Sequence, residues 1–399
     1  MRPTTKNILM LLVLVLVGVN MRPLLTSVGP LLPLLRDASG MNFALASLLT
    51  ALPVAAMGVM ALAGGWLSRR LNAHHLVALS LVTIAAGALL RERAPHSAIL
   101  LSSALIGGIG IGLIQATLPG VIKRLFSRST PAVMGLWSAA LMGGGGLGAA
   151  LTPWLAQRSK VWYHALAWWA LPAILALIGW MVIGRSAVQS PDNALPGPAV
   201  RLHISPRAWM LGLYFGLING GYTSLIAWLP PYYMQLGSSP QSSGSLLALL
   251  TLGQTAGALL MPMLARHRDR RTLLLVSLAM QLVGFCGFIW LPQQLPVGWA
   301  LIGGVGLGGT FPLSLVLALD HTPHAPLAAR LVAFMQGIGF IIAGASPYLS
   351  GFLRSLTGDY RADWMFHAAC VVGLMLLTLR FAPSRFPSGW QTSPPAGNR

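Results

Sequence analysis

Arg22 stands inside an apolar run that extends from Ile8 to Leu35 and whose other polar residues are Asn20, Thr26 and Ser27. At about 1.5 Å of rise per residue it lies roughly 21 Å into a hydrocarbon core about 30 Å thick. An ionisable side chain at that depth is expensive and marks a polar cavity or a translocation path by default. A guanidinium stays protonated and carries five N–H donors in a planar fork. Set among amides and hydroxyls, it would hold a small anion, because low dielectric strengthens the ionic contact while neutral donors orient the ligand. Thr26, four residues on, shares a helical face with it. The competing reading is structural: a cation bonded to carbonyls freed by Pro23 or Pro30.

The elements that position Arg22 follow from composition. Of 399 residues, 55% are hydrophobic and 8% charged, against about 25% charged in a soluble domain. The mean hydropathy is +0.71, which excludes a water-soluble fold and makes the lipid bilayer the first partner. A net charge of +19 would suggest nucleic acid in a soluble chain. Here the cations fall in short connections between apolar runs, so no nucleic-acid partner is expected. Cys286 and Cys370 lie within apolar runs, with neither metal spacing nor a disulfide framework. The N-terminus imitates a signal peptide, but its apolar run is too long and lacks an A-x-A site, so it reads as a retained helix.

Twelve spans are predicted, near 8–34, 43–67, 75–93, 97–121, 131–155, 161–184, 207–234, 242–265, 272–291, 297–319, 327–353 and 361–382. With the N-terminus inside, eighteen Lys and Arg fall on the cytoplasmic side and seven outside, which places both termini in the cytoplasm. The polar, proline-rich connection separates a bundle at 1–184 from one at 207–382, with a linker at 185–206 and a tail at 383–399. The halves resemble each other. Ala104–Gly112 matches Ala300–Gly308 at an offset of 196, and Thr26-Ser27 with Pro33 matches Thr223-Ser224 with Pro230 at an offset of 197.

A six-plus-six parallel repeat is the plan of major facilitator transporters, whose substrate site lies at the midplane between the halves. The predicted fold class is therefore an all-α integral membrane protein of that type. Spans 1, 4, 7 and 10 would line the cavity, making Asn20, Arg22, Thr26, Gln115, Asn219 and Tyr222 the candidate substrate-binding residues. Asn219 falls opposite Arg22 in the repeat, though its amide could equally bridge spans 7 and 11, and Tyr222 could be a wall residue. Gln254, Gln281 and Gln336 suit interhelical hydrogen bonds. The turn after span 8, Arg266-His-Arg-Asp-Arg-Arg271, resembles the charged motif that this superfamily carries between helices 2 and 3, and that resemblance implies a gating role for Asp269 and Arg270. Its first-half counterpart keeps Arg69 and Arg70 but lacks the Asp.

The glycine runs 107–112, 143–146 and 303–309 lie in apolar spans and lack a following Lys-Ser/Thr, so close helix packing is expected in place of a nucleotide loop. No cofactor, catalytic residue or metal site is called for, since no H-E-x-x-H, Ser-His-Asp set or metal cluster falls in the spans. All seven acidic residues are read at loops or helix ends, leaving no midplane carboxylate. His367 reads as a core hydrogen-bonding residue in preference to a proton relay. His321 and His324 read as solvated loop residues.

Asn20–Pro33, Leu136–Gly148, Phe215–Tyr222 and Val332–Phe340 closely resemble the bacterial cyanate transporters of the major facilitator superfamily, and the likeness runs from about residue 10 to 387. The resemblance implies a monomeric inner-membrane secondary carrier, not an enzyme, moving cyanate or a similar small monoanion by alternating access. A related branch that exports drug-like or nitro-aromatic compounds is the alternative, since 13 Trp and 17 Met would suit a greasy cavity.

Overall fold

The computed structural model describes residues 3–93, 96–126, 130–184, 201–265, 269–322 and 324–391, and all regular structure among them is helical. A span surrounded by lipid must satisfy its own backbone polar groups, and a helix does so within one segment. The first span is α1 (Pro3–Val19), α2 (Pro23–Thr26) and α3 (Leu32–Ser39), with a 3-10 turn at Gly29–Leu31. Then follow α4 (Phe43–Arg70), α5 (Ala73–Leu90), α6 (Ser97–Leu125) and α7 (Thr130–Ser159). The sixth span is α8 (Trp162–Ala167) and α9 (Ala170–Ile183). The second half holds α10 (Pro206–Gln235), α11 (Pro240–Leu264), α12 (Arg271–Trp290), α13 (Pro296–Asp320), α14 (Ala325–Thr357) and α15 (Arg361–Thr378), and the short α16 (Ser388–Gln391) ends it. Asn42, Asn72, Ser205 and Ser239 cap α4, α5, α10 and α11, each accepting from a backbone N–H three residues on.

Eleven spans are long and apolar enough to cross a membrane. The twelfth, α10, is 30 residues long and buried without interruption from Ile218 to Tyr233. Protein encloses it there, so it can carry Asn219, Thr223 and Ser224, which lower its apolarity.

The expected unbroken helix over 8–34 is corrected. Pro23 has no N–H to give Val19, so the helix stops and restarts after Asn20–Arg22. The repeat places Gly220 where the first half has Pro23, and α10 runs straight through. The glycine runs pack helices as expected: Gly304 and Gly308 lie against the α11 backbone, Gly108 against Pro53 of α4, and Gly306 against Ser277 and Gln281 of α12. Gln281 donates to Gly306 O at 3.2 Å and Thr310 Oγ1 at 2.8 Å, bridging α12 and α13. Gln254 makes no such bridge through its Oε1, which is buried without a partner.

Asp363 stands at a helix end as read, in the first turn of α15, and is buried there beside His367. One further reading changes. His321 is fully buried, roofed by Phe386 at 4.0 Å between ring centroids and by Trp390 of α16, while Thr322 donates to Trp390 O at 2.7 Å. The part of the tail up to Gln391 is thus docked on the bundle, and 392–399 lie outside the described residues. Of the linker, 185–200 lie outside them too.

His321 carries its proton on Nδ1, donated to Leu317 O at 2.7 Å, because Nε2 accepts from Arg207 Nε at 2.9 Å. Burial pushes its pKa down to about 4. A folded-state value below the unfolded one, about 6.5, means the unfolded chain binds the extra proton first. This stabilisation is full above pH 6.5 and lost as pH falls toward 4, on the order of 3 kcal/mol in all. The melting temperature in detergent should fall over that window, and His321→Gln should flatten the fall.

Candidate functional site

The break in the first span puts Arg22 at the N-cap of α2, 9% exposed. Its carbonyl accepts from Leu25 N, Thr26 N and Thr26 Oγ1 at 3.0, 3.1 and 3.2 Å. Asn20 finishes α1: its Nδ2 donates to Leu16 O at 2.7 Å and to Pro172 O of α9 at 3.0 Å. Both amide hydrogens of Asn20 are thus committed to backbone. The turn docks on the glycine run of α7, where a Cβ at Gly144 would overlap the Val19 carbonyl and one at Gly148 the Thr26 hydroxyl. A Cβ at Gly145 would stand 3.3 Å from Arg22 Cβ, so α7 closes one side of the arginine stem.

From this turn the guanidinium crosses to the other half of the molecule. Its central carbon lies 4.8 Å from the ring centroid of Tyr222 on α10. A π-face contact eases the charge without using an N–H donor. Among the described residues, no carbonyl hydrogen-bonds the guanidinium and no carboxylate pairs with it.

The structural role that competes for Arg22 is filled by a second arginine, which hydropathy had assigned to the outer loop side. Arg91, 1% exposed, donates through Nη2 to Leu24 O at 2.9 Å, through Nε to Ser103 Oγ at 3.2 Å and through Nη1 to Ser27 Oγ at 3.5 Å. Leu24 O is one of the carbonyls the broken helix leaves without an intrahelical donor. Two buried arginines therefore flank one helix break, one saturated by the fold and one with its donors available. Arg91 stands at the end of an apolar run, and its partners lie 12 to 67 residues away, so local sequence carries no sign of the contact.

The other candidates divide. Asn219 lies one turn before Tyr222 and donates to Phe215 O at 2.8 Å, so its amide does not bridge to α14. Thr223 and Ser224 make that bridge, bonding to Ala343 O and to the hydroxyls of Ser346 and Ser350 at 2.8, 3.1 and 2.9 Å. Thr26 is fully buried against α7. Gln115 is half-buried on α6, and no contact joins it to Arg22. In the charged motif, Asp269 pairs with its neighbour Arg271 at 2.6 Å, and that hydrogen bonding holds its carboxyl below the usual range. Arg270 pairs with Asp320 at 2.8 Å, tying the start of α12 to the end of α13. Arg70 is exposed over Trp66, 4.7 Å from its centroid, while the Arg69 side chain lies outside the described residues.

The halves meet along two helix pairs. Helix α4 packs against α14, with Gly351 on Phe43 O and Gly344 on Ala51 O, and α7 against α11, with Gly244 on Ala149 O. Arg36 and Arg354, one from each half, stand 3.6 and 4.8 Å from the Phe43 ring centroid beside a cavity of about 430 Å³. The α4–α14 contact continues along both helices, with Gly58 against the Gly337 carbonyl and Gly337 against the Leu62 side chain, while Gly120, Gly135 and Gly143 have no neighbour within reach of a Cβ.

Comparison with known proteins agrees with this architecture. The Major Facilitator Superfamily model matches residues 9–344. A cyanate transport protein, CynX, of Escherichia coli K12 is 66% identical over 96% of this chain and 99% of its own. A 2-nitroimidazole transporter of the same organism is 30% identical over 92% of each chain. Among solved structures, a D-xylose–proton symporter superposes with a TM-score of 0.76 at 15% identity, covering 95% of this chain and 99% of that one. The inward open xylose transporter XylE of E. coli does so with 0.77 at 14%, covering 96% and 99%. By architecture and by sequence, this multi-pass membrane protein belongs to the major facilitator superfamily.

Proposed function

We propose that the chain is a secondary transporter of a small monovalent anion, cyanate foremost, working by alternating access in the bacterial inner membrane and needing no cofactor. The observation that carries this reading is the Arg22 guanidinium, buried between the halves with its N–H donors available and no acidic partner. Cyanate is a linear triatomic monoanion that one guanidinium can grip with two donors, and the 66% identical relative carries its name. Arg22 anchors the charge; Tyr222 and Asn219 bring the second half to the same anion. Asn20 and Thr26 shape the turn that aims Arg22, and Gln115 stands on the route of access.

Residues 1–184 and 207–382 would rock as two bodies, with Arg69, Arg70, Asp269 and Arg270 at the gate near the termini. The excess of Lys and Arg in the connections on the terminal side supports a cytoplasmic placement of both termini. One protomer holds the entire site, which fits a monomer acting in the lipid bilayer. Moving one negative charge inward against about 100 mV costs roughly 2.3 kcal/mol, so accumulation requires a coupled charge.

Proteoliposomes loaded with unlabelled cyanate test the substrate. Labelled cyanate should exchange in, unlabelled cyanate should compete, and neutral 2-nitroimidazole at the same concentration should not. Competition by 2-nitroimidazole alone would contradict the reading.

A further inference from the structure

Asp363 and His367 lie one turn apart on α15, 1% and 2% exposed, with Nε2 3.3 Å from Oδ1. Neither carboxylate oxygen nor Nε2 has a hydrogen-bond partner among the described residues, and the nearest charged or basic group to each is the other. A buried carboxylate is ordinarily neutralised by a permanent cation or several donors. Here the group beside it is an imidazole, a side chain able to take up and release a proton.

Among the described residues no cation pairs with either group; Tyr360, one turn before Asp363, feels the carboxylate and is the residue that Arg354 contacts. From α12, Phe285 stacks on the imidazole at 5.6 Å, and Phe288 lies beyond Trp364. From α10 come Gly221 and Tyr232, whose hydroxyl is bonded to Phe288 O. From α14, Arg354 lies over Tyr360. On the pair's own segment, Arg361 is turned to Asp359 at 3.8 Å, and Cys370 lies near Asp363. His367 also lines a cavity of about 380 Å³ between α10, α14 and α15, shared with Ser346 and Cys370.

We propose that this pair is the proton-binding site that couples anion movement to a proton gradient. The inference rests on the anion reading above. Without the proton, the carboxylate and neutral imidazole carry one negative charge; with it, the pair is neutral. One proton from water binds at His367 Nε2, shared with Asp363, and leaves to water at the other face, with no other bond made or broken. A loaded carrier then moves one anion with one proton, and the membrane potential no longer opposes uptake.

The mechanical link is α10. A Cβ on Gly221 would stand 3.8 Å from the imidazole Nδ1, and the next residue, Tyr222, faces Arg22. One turn of one helix touches both the proton pair and the anion anchor. Its two glycines, Gly220 and Gly221, leave that turn free of side chains that would lock it.

Two measurements in proteoliposomes test this, with the voltage clamped. At equal pH, exchange of labelled cyanate reports the anion site alone. With the outside one pH unit more acidic, wild-type protein should accumulate cyanate toward about ten times its outside concentration, for one proton per anion, and faster than protein-free liposomes. His367→Gln and Asp363→Asn should keep exchange within about threefold and accumulate nothing. A wild-type protein that ignores the pH gradient, or a His367→Gln protein that still follows it, overturns the coupling. Should the wild type exchange no cyanate, the anion reading fails by itself. The pair is then decided by histidine NMR of the purified wild-type protein. A His367 resonance, assigned in the wild-type protein by selective Phe and His labelling because Phe366–His367 is the one Phe-His step in the sequence, should move as pH is changed; one that stays fixed overturns the pair. The same spectrum decides the matter if both variants fail to fold.

Discussion

Arg22→Gln should lower cyanate uptake at least about 100-fold while leaving the amount of folded, inserted protein near the wild-type level. The guanidinium serves no hydrogen bond of the fold, and its removal also relieves an uncompensated buried charge. What the protein loses is one cation–π contact, worth about 0.5–2 kcal/mol. What the anion loses is its ionic partner and two charge-assisted hydrogen bonds, each worth about 1.5–3 kcal/mol, and each 1.4 kcal/mol is tenfold. Arg22→Lys should fall between, because an ammonium keeps the charge but not the planar fork. Arg91→Gln should behave in the opposite way. It strands Leu24 O and the hydroxyls of Ser27 and Ser103 around the helix break, so folded protein should drop several-fold. Membrane yield by fluorescence-detected size exclusion, read beside uptake, separates the two arginines. Equal loss of yield in both would mean that Arg22 is structural.

Gly144→Ala should be among the most destabilising single-methyl changes in the chain. The added Cβ would overlap the Val19 carbonyl, which is backbone at the end of α1 and is pinned from behind by the bonds of Asn20. Overpacking of a close contact costs about 1–3 kcal/mol. Here the displaced element also carries Arg22, so uptake per folded molecule should fall as well. Gly143→Ala is the control. It lies one residue earlier on the same helix with no neighbour within reach, and it should change melting temperature and transport little. Similar melting temperatures for the two variants would contradict the docking of the break on α7.

These residues show which parts of the fold could be read along the chain. Spans, glycine packing and the burial of Arg22 follow from local apolarity and from the expense of a charge in hydrocarbon, both properties of short segments. The break in the first span does not follow in the same way. Pro23 signals it, but Pro53, Pro119 and Pro153 stand inside α4, α6 and α7 without ending them. What differs at Pro23 is tertiary: Asn20, Arg91 and the bare face of α7 take up the freed backbone groups. His321 was misplaced for the same reason: it follows a helix end, where sequence alone predicts water, and the docked tail covers it. The burial of Asp363 at its own helix end likewise depends on distant elements, α10 and α12 being packed against the neighbouring His367.

The site was legible to the extent that the internal repeat set Arg22 opposite the Asn219–Tyr222 turn. The contact itself fell to Tyr222 and not to Asn219, because the guanidinium reaches one helical turn along α10 from the break. Asn20 and Thr26 are polar residues of the first span that pattern assigns to substrate, yet the turn they belong to consumes the Asn20 amide hydrogens and the Thr26 hydroxyl.

The most direct test is equilibrium exchange of labelled cyanate across proteoliposomes, with no gradient of pH or voltage, for wild-type and Arg22→Gln proteins at matched reconstitution. Exchange isolates the anion site from any driving force. Rapid exchange by the wild type, reduced at least about 100-fold by Arg22→Gln, is the expected result. Exchange that persists in a well-folded Arg22→Gln protein would contradict the assignment of Arg22 as the anion anchor.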